Sequence, residues 1–338
     1  MSQETTLDGA RVSVRVPAKV NLFLAVRGVR DDGYHELTTV LQTVSIFDEL
    51  RVAVTGPPGQ GHHPAARRRM RLVLRHGGQA GLPDGEANLA VRAGLLLGRA
   101  AGVLDGVTET APAGPTTLLE LAKAIPIAGG MAGGSADAAA ALVALNELWR
   151  CELPRQRLRE LAGELGSDVP FCVTGGTALA SGRGTALAQV LCKGRFHWVV
   201  VPDAVPLRTG DVYRAWDERC EASEIEPDAV LQALRSADAV ALGAALHNDL
   251  EPAAFALRPE LADRKDRLIA AGALGAVLSG SGPTMLALVA DKSHARAVAD
   301  VVTPALGAPI LATSPAGGPE VRASATPPRS RDPERPLK

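Results

Sequence analysis

The first part of the chain alternates hydrophobic and polar residues, which is the pattern of half-buried β-strands. Val12, Val14 and Val16 would share one face. Pro17 is expected to interrupt this strand, and a second alternation follows it. Residues 36–54 continue with strand character up to a cluster of glycines and prolines. The pattern therefore predicts a β-rich amino-terminal region.

Apolar residues recur every three or four positions in several later segments, which predicts amphipathic helices. Ser135 is typical of a helix N-cap, Pro154 of a first turn and Gly166 of a helix end. The helices predicted from the spacing are 88–101, the segment following Ser135, the segment from Pro154 to Leu165, 211–217, 228–245, 259–272 and 293–302.

A proline shapes the segment that follows Gly166. Pro170 disfavours helical backbone at the preceding residue, Val169, which is therefore predicted to be extended. Asp168 would then lie at a corner between a helix and a strand. Such a corner would present the carboxylate of Asp168 to its surroundings.

Strand patterns return in the second half of the chain and divide it into regions. Residues 196–201 resemble a buried strand that opens a second domain, and residues 275–289 resemble a strand, a glycine-rich turn and a strand. Residues 62–71, with two histidines and three consecutive arginines, are expected to form a solvated loop. The predicted organisation is an amino-terminal domain over 1–190, a carboxy-terminal domain over 191–313 and a disordered tail over 314–338.

The composition limits the classes of protein to which this chain can belong. The chain has 338 residues, of which 46% are hydrophobic, and a formal net charge of −1, so charge gives no case for nucleic acid or an anionic membrane as a partner. No apolar stretch is long enough to span a bilayer, and the first ten residues are polar, unlike a secretory signal. The cysteines are scattered without metal-ligand spacing, which is typical of a reducing compartment. We therefore expect a cytoplasmic protein.

The most informative stretch for chemistry is a glycine-rich run. Gly129, Gly130, Gly133 and Gly134 fall within six residues, just before an alanine-rich helical pattern. Glycines let backbone N–H groups approach an anion, and a helix N-terminus adds partial positive charge. The run lacks the Gly-Lys-Ser/Thr ending of a Walker loop. By itself it is equally consistent with a phosphate-binding loop and with a flexible turn.

Two further motifs occur in order with this run. Pro17-Ala-Lys-Val-Asn-Leu-Phe-Leu24 precedes it, and Leu278-Ser-Gly-Ser-Gly-Pro283 follows it. Together with Pro126-x-x-x-Gly-x-x-x-Gly-Ser135, they resemble the GHMP kinases over roughly residues 11–312. The resemblance implies a two-domain α+β fold. Its amino-terminal, nucleotide-binding domain would be ribosomal protein S5 domain 2-like, and its carboxy-terminal, substrate-side domain a ferredoxin-like α/β domain.

Other residues narrow the resemblance within that superfamily. The box Asp32-Gly-Tyr-His35 and the segments Gly166-Ser-Asp-Val-Pro-Phe171 and Asn248-Asp-Leu-Glu-Pro252 are similar to those of the kinases of 4-diphosphocytidyl-2-C-methyl-D-erythritol. The resemblance implies ATP-dependent phosphorylation of the 2-hydroxyl of that compound, giving the 2-phosphate and ADP, in non-mevalonate (MEP) isoprenoid biosynthesis. The alternatives are another GHMP kinase, acting on mevalonate, homoserine or a sugar, and a catalytically silent nucleotide-binding protein.

The resemblance also implies roles for individual side chains. Asp168 is the expected general base that accepts the proton of the substrate hydroxyl, and Lys19 is its charge partner. Without the family pattern these two would be interpreted as a surface ion pair. Tyr34 and Tyr213 are expected to stack on a cytosine ring, and His35 to hydrogen-bond its edge. The alternative is that both tyrosines are ordinary half-buried residues.

Further assignments follow from position in the motifs. On the substrate side they are Asn21 and Thr209, and on the ATP side they are Asn88, Lys123, Pro126, Gly129, Gly130, Gly133, Gly134, Ser135, Gly280 and Gly282. Mg²⁺ is implied by ATP. No carboxylate is assigned to the metal. The family often has a second serine after Ser135, where this chain has Ala136. The Ser135 hydroxyl is therefore the loop hydroxyl that could bind phosphate or metal. The expected partner is this small-molecule substrate, and the expected state is a monomer or weak homodimer.

Overall fold

The computed structural model describes residues 11–55, 71–76, 81–103 and 116–323. These residues form one sheet of eight strands, one sheet of four strands and ten α-helices. Nearly all of the predicted loop over 62–71 lies outside the described residues. Within the described residues, no helix is long and apolar enough to cross a membrane.

The larger sheet is built around two long antiparallel strands. Its members are β1 (Arg11–Val29), β2 (His35–Thr55), β3 (Arg71–Arg75), β4 (Thr116–Ala122), β5 (Thr177–Gly182), β6 (Ala186–Gln189), β8 (His247–Asn248) and β12 (Glu320–Ala323). The strand order is β12-β1-β2-β4-β3, with β5 paired to β2, β6 to β5, and β8 to β1. The sheet is therefore predominantly, but not wholly, made by the amino-terminal part of the chain.

The smaller sheet has a ferredoxin-like arrangement. Its strands are β7 (Phe196–Val201), β9 (Gly275–Leu278), β10 (Met285–Val289) and β11 (Ile310–Ser314). All neighbours are antiparallel, and the order β11-β7-β10-β9 corresponds to 4-1-3-2 in chain order. Helices connect the first strand to the second and the third to the fourth, which makes the βαββαβ unit of that fold. The two-domain α+β architecture is thus confirmed.

The helices largely match the predicted segments. They are α1 (Leu89–Ala100), α2 (Gly133–Leu148), α3 (Arg155–Leu165), α4 (Val169–Thr174), α5 (Thr209–Asp217), α6 (Asp228–Ser236), α7 (Ala239–Ala245), α8 (Glu251–Leu257), α9 (Glu260–Ala270) and α10 (Lys292–Leu306). The single helix predicted over 228–245 is wrong. Ala237 adopts left-handed backbone, and the Asp238 carboxylate accepts hydrogen bonds from two backbone N–H groups to begin α7.

Pro17 does not interrupt the first strand as predicted. β1 runs continuously through it, and the pairing with β2 changes register between Pro17 and Ala18, where two residues of β2 are skipped. Proline has no N–H to donate, so a bulge in the ladder accommodates it at little cost. The strand therefore continues, and Lys19 and Asn21 follow the irregularity on the same strand.

The core is centred on α2, which is nearly all alanine along its buried side. Its fully buried residues include Ala138 to Ala141, Leu142 and Leu145. The small side chains let this helix lie close to β1 and β2, with which it shares the main apolar cluster. The glycine-rich run therefore enters a helix that is anchored in the core.

Two predictions about helix starts are corrected. Ser135 is the third residue of α2 rather than its N-cap, which is Ala132 in left-handed backbone. Val169 is helical rather than extended, because α4 begins there and Asp168 is its N-cap. A proline in the first turn loses no intrahelical hydrogen bond, so Pro170 begins a helix instead of preventing one.

The predicted disordered tail begins with ordered structure. Residues 320–323 form β12, which pairs antiparallel with β1. The described part of the tail also hydrogen-bonds through Ala316, whose N–H donates to the Thr43 carbonyl. The prediction of disorder is therefore wrong for 314–323, because an unpaired edge of β1 was available to pair with it. Residues 324–338 lie outside the described residues.

Candidate active site

The glycine-rich run folds into a loop with alternating left-handed residues. Ala128, Gly130 and Ala132 have φ of 53°, 74° and 57°, although two of them are not glycine. Left-handed residues between right-handed ones turn successive N–H groups toward one side, which is the geometry of an anion nest. No side chain caps α2, so the N–H groups of its first turn remain open. The loop has the geometry to bind phosphate.

A second glycine-rich turn, between β9 and β10, packs directly on this loop. The hydroxyl of Ser279 donates to the Gly130 carbonyl at 3.1 Å. A Cβ on Gly130 would clash with the backbone oxygen of Ser279 and would lie 2.9 Å from that of Gly282. Glycine is thus required at position 130, because the backbone there has a positive φ and because the second turn approaches it too closely for a side chain. The two motifs, whose contacting residues are 149 positions apart in the sequence, form one surface.

The predicted catalytic pair lies beside the loop. Lys19 Nζ is 3.3 Å from Asp168 Oδ2 and donates to Asn21 Oδ1 at 3.1 Å. The Lys19 side chain is 6% exposed, whereas that of Asp168 is 35% exposed. The backbone N–H of Lys19 donates to the Met131 carbonyl at 3.1 Å, which ties β1 to the loop. A buried ammonium therefore holds an accessible carboxylate.

Asn21 is held in turn by its neighbours on the sheet. Its amide donates to Thr39 Oγ1 at 2.8 Å, and that hydroxyl donates to the Phe23 carbonyl at 2.6 Å. The chain of hydrogen bonds orients the Asn21 oxygen toward Lys19, which fixes the position of the ammonium.

Aromatic and charged side chains form the opposite side of the site. His35 Nε2 lies 2.8 Å from Asp217 Oδ1, and the His35 ring packs on Tyr213 at a centroid distance of 4.5 Å. Tyr34 is 54% exposed, and the Arg183 guanidinium lies 3.6 Å from the centre of its ring. Burial, and then the charge of Asp168, raise the pKa of the Tyr213 phenol. Tyr213 therefore remains a neutral aromatic surface.

These groups line one cleft of about 730 Å³. Thr209 Oγ1 lies 2.9 Å from Ser281 Oγ, so α5 is joined to the second glycine-rich turn at its edge. The predicted residues that line the cleft are Lys19, Asn21, Tyr34, His35, Gly129, Gly130, Gly133, Gly134, Asp168, Thr209, Tyr213 and Gly280. The glycine-rich loop, the Lys–Asp pair and the aromatic side chains therefore open into the same space.

Comparisons with known proteins agree with this arrangement. The GHMP kinases N terminal domain matches residues 88–176, and the GHMP kinases C terminal domain matches residues 230–308. A 4-diphosphocytidyl-2-C-methyl-D-erythritol kinase of Thermobifida fusca is 48% identical over 85% of this chain and 90% of its own. One of Mycolicibacterium smegmatis is 44% identical over 89% of this chain and 88% of its own.

The chain belongs to the 4-diphosphocytidyl-2-C-methyl-D-erythritol kinases within the GHMP kinases. A solved structure of a kinase of that name is 33% identical, covers 89% of this chain and 98% of its own, and has a TM-score of 0.67. A homoserine kinase from Cytophaga hutchinsonii is 19% identical, covers 95% of this chain and 99% of its own, and has a TM-score of 0.68. The second likeness shows the shared fold of the superfamily.

Several residues assigned to ATP lie away from the cleft lining. The Asn88 side chain accepts from Ala90 N and donates to the Pro83 carbonyl, so it caps α1. Pro126, Ser135 and Gly282 are also not among the lining residues, although Pro126 lies against Gly129 in the loop. The structure thus gives Asn88 a capping role, and the assignment of these four residues to ATP stays a prediction.

Lys123 is likewise not brought to the cleft. Its ammonium is hydrogen-bonded to Asp48 and lies 2.8 Å from Asp137 Oδ2, and the three side chains are at most 2% exposed. Asp48 Oδ1 also accepts from the N–H groups of Ala124 and Ile125, which lead into the loop. A Cβ on Gly133 would lie 3.1 Å from Lys123 Nζ, so the ammonium lies against the loop, and the assignment of Lys123 to ATP stays a prediction.

One carboxylate of this buried cluster is strongly affected by its surroundings. Burial, and then the charge of nearby Asp48, raise the pKa of Asp137 to about 7, while the charge of Lys123 acts in the opposite direction. Asp137 Oδ1 has no hydrogen-bond partner within the described part of the chain. Asp48, by contrast, has its charge satisfied by an ammonium and two N–H groups.

Asp217, Arg183 and Thr39 are among the cleft residues that the sequence assignment missed. Asp217 follows Tyr213 by four residues on α5, a spacing that places both on one helix face. Arg183 stands between Gly182 and Gly184 at the β5–β6 turn, so it is an arginine presented by a tight turn. Thr39 gives no local signal, because its contact with Asn21 depends on the pairing of β1 with β2.

Proposed function

We propose that this protein transfers the γ-phosphoryl group of ATP to the 2-hydroxyl of 4-diphosphocytidyl-2-C-methyl-D-erythritol, giving the 2-phosphate and ADP in the MEP route to isoprenoid precursors. The names of its relatives support this substrate. The observation that carries the proposal is that the Lys19–Asp168 pair, the glycine-rich loop and the Tyr34–His35 box line a single cleft.

The chemistry assigned to the pair is general base catalysis with charge stabilisation. Asp168 accepts the proton of the 2-hydroxyl as the oxygen of that hydroxyl bonds to the γ-phosphorus and the bond to the β-phosphate oxygen breaks. Lys19, 3.3 Å from Asp168, pairs with the carboxylate before transfer and offers positive charge to the transferring group. ADP leaves with the electron pair of the broken bond.

The loop supports the phosphate end of this reaction. Its left-handed residues and the open first turn of α2 supply N–H donors for phosphate oxygens, so ATP binding needs no Walker lysine. Gly130 and the turn of Ser279 to Gly282 keep the two loops in contact, which fixes the shape of the cradle.

The proposal includes Mg²⁺, which would bind together with ATP. The described residues contain no group of three or more His, Cys, Asp or Glu side chains that could hold a metal. This fits Mg²⁺, which is usually held by one or two protein oxygens, waters and the substrate phosphates. On the protein side, the Ser135 hydroxyl in the first turn of α2 is the group assigned to phosphate or metal. When bound, the ion would neutralise charge on the phosphate oxygens.

The aromatic wall is assigned to the cytidine end of the substrate. Tyr34 and Tyr213 would stack on the base, each contact contributing about 1–3 kcal/mol, and His35 would contact its edge. Asn21 and Thr209 are assigned to the same side of the cleft, which they line. A cytoplasmic location and a monomeric or weakly dimeric state remain predictions from the sequence.

The deciding experiment measures ADP release by the purified protein with ATP, Mg²⁺ and one alcohol at a time. We expect turnover with 4-diphosphocytidyl-2-C-methyl-D-erythritol and at least about 100-fold lower kcat/KM with mevalonate or homoserine, because only the first engages the aromatic wall. Turnover confined to mevalonate or homoserine would replace this proposal with another GHMP kinase activity. ATP binding without turnover of any alcohol would indicate a silent nucleotide-binding protein.

A further inference from the structure

Helix α5 surrounds the His35 imidazole with three of its side chains. Asp217 Oδ1 lies 2.8 Å from Nε2, the Tyr213 ring packs on the imidazole at 4.5 Å, and the Trp216 ring meets it edge-on at 5.6 Å. The His35 side chain is 11% exposed, whereas that of Asp217 is 41% exposed. The ring is therefore held in one orientation at the wall of the cleft.

The Asp217 contact determines which ring nitrogen of His35 carries the proton. An ionised carboxylate only accepts hydrogen bonds, so Nε2 must donate to it. In neutral imidazole the other nitrogen, Nδ1, is then an acceptor. Among the described residues, Nδ1 makes no hydrogen bond. His35, which lines the cleft, thus has an unused acceptor.

We infer that Asp217 is a positioning residue that sets the tautomer of His35, so that Nδ1 accepts a hydrogen bond from the exocyclic amine of the substrate's pyrimidine. This inference rests on the proposed function, which places a cytosine ring in the cleft. Cytosine carries an amine donor at position 4, whereas uracil carries a carbonyl acceptor there. An acceptor facing Nδ1 would leave two lone pairs opposed and both groups unsatisfied.

The consequence is discrimination between cytidine and uridine substrates. A mismatched buried hydrogen bond costs about 1–3 kcal/mol, so the wild-type protein should favour the cytidine substrate over its uridine analogue by about 10- to 100-fold in kcat/KM. Asp217 itself touches neither substrate in this scheme. Its effect reaches the base only through His35.

The test compares Asp217→Asn with the wild-type protein on both substrates. The Asn amide, unlike the carboxylate, can also donate to Nε2, which releases the ring from the Nε2–H tautomer and lets the imidazole proton move to Nδ1, where it makes that atom a donor. The cytidine preference should then fall by about 10-fold or more, mainly through a higher KM for the cytidine substrate and a lower KM for the uridine analogue. Asp211→Asn is the matched control, since Asp211 lies on the same helix, is 44% exposed and pairs with Arg214.

A second measurement follows the tautomer directly. ¹⁵N chemical shifts of the His35 ring, assigned by comparison with His35→Gln, should report Nε2–H in the wild-type protein and Nδ1–H in Asp217→Asn. An unchanged cytidine preference in Asp217→Asn, or a wild-type ring with Nδ1–H, would overturn the inference while leaving the kinase activity in place. Absence of turnover by the wild-type protein would instead refute the proposed function.

Discussion

Two buried lysines lie close to the glycine-rich loop, and their carboxylate partners differ in exposure. Lys19 pairs with one carboxylate, Asp168, at 3.3 Å, and that carboxylate is 35% exposed in the cleft. Lys123 is enclosed by two carboxylates, Asp48 and Asp137, and all three side chains are at most 2% exposed. The first pair is open to a ligand, whereas the second cluster is closed.

The difference in exposure separates the ion pair that we assign to the reaction from the one that we assign to stability. An accessible carboxylate can exchange its contacts with a substrate hydroxyl, so its charge is available for chemistry. A buried cluster has lost its hydration and depends on its internal partners, so each partner affects folding rather than turnover. Asp48 also binds two backbone N–H groups before the loop, which gives the closed cluster a role in holding the loop's entry.

The largest effect is expected at the open pair. Asp168→Asn keeps the size of the side chain but removes the base, so kcat should fall by about three to four orders of magnitude. The affinity for ATP, measured by calorimetry, should change less than about threefold, because the loop is untouched. Thermal unfolding should change little, because the Asp168 side chain is partly exposed and the Lys19 ammonium keeps its hydrogen bond to Asn21 Oδ1. Full activity in this variant would contradict the assignment of Asp168 as the general base.

The closed cluster should respond in stability instead. Lys123→Met leaves two buried carboxylates without their ammonium, which is expected to lower the free energy of unfolding by about 3–5 kcal/mol in urea denaturation. Lys19→Met is the matched control. It should cost about 1 kcal/mol in stability, because Asp168 can turn to water, while lowering kcat severely. Similar stability losses in the two variants would contradict the distinction drawn between them.

The pH dependence of stability should sharpen the contrast further. The pKa of Asp137 is about 7 in the folded protein and near 3.8 without its surroundings, so the folded state holds this proton more tightly. Stability should therefore decline as pH rises from about 4 to about 7, and the decline should be complete above that range. Asp137→Asn has no carboxyl group to ionise, so it should be more stable than the wild-type protein at pH 8 by about 4 kcal/mol.

Below about pH 4 the advantage of Asp137→Asn should disappear, since both forms are then neutral at this position. Urea denaturation at pH 4.5, 6 and 8 measures the trend. A difference between variant and wild type that stays constant across this range would show that Asp137 does not titrate on unfolding.

The local pattern of apolar and polar residues predicted much of the fold, and the predictions that were wrong share a cause. The buried strand over 196–201 and the strand-turn-strand over 275–289 were predicted from apolar residues and glycine punctuation, whereas their ferredoxin-like arrangement was implied by the family resemblance. The predicted corner at Asp168 and the predicted tail were wrong because each was decided by a partner that the local sequence does not contain. α4 packs in the core through Phe171 and Cys172, and β12 pairs with β1.

The candidate site shows the same division. The order of the motifs predicted that Lys19, Asp168 and the glycine-rich loop lie close together, and they do so in the structure. The same reasoning assigned Lys123 to ATP, whereas the structure places its ammonium between two carboxylates below the loop. Spacing along the chain does not distinguish a lysine that faces a cleft from one that faces the core.

The sequence by itself determined which chemical groups this protein has available. They are a glycine-rich loop before a helix, a lysine and an aspartate in family motifs, and the two tyrosines and the histidine assigned to the cytosine ring. Tertiary structure alone decided which charges remain accessible. Exposure and pairing depend on strand register and on contacts between residues far apart in the chain, such as Lys123 with Asp48 and His35 with Asp217. Those contacts set the local dielectric and the hydrogen-bond partners, which decide whether a charged group is reactive or structural.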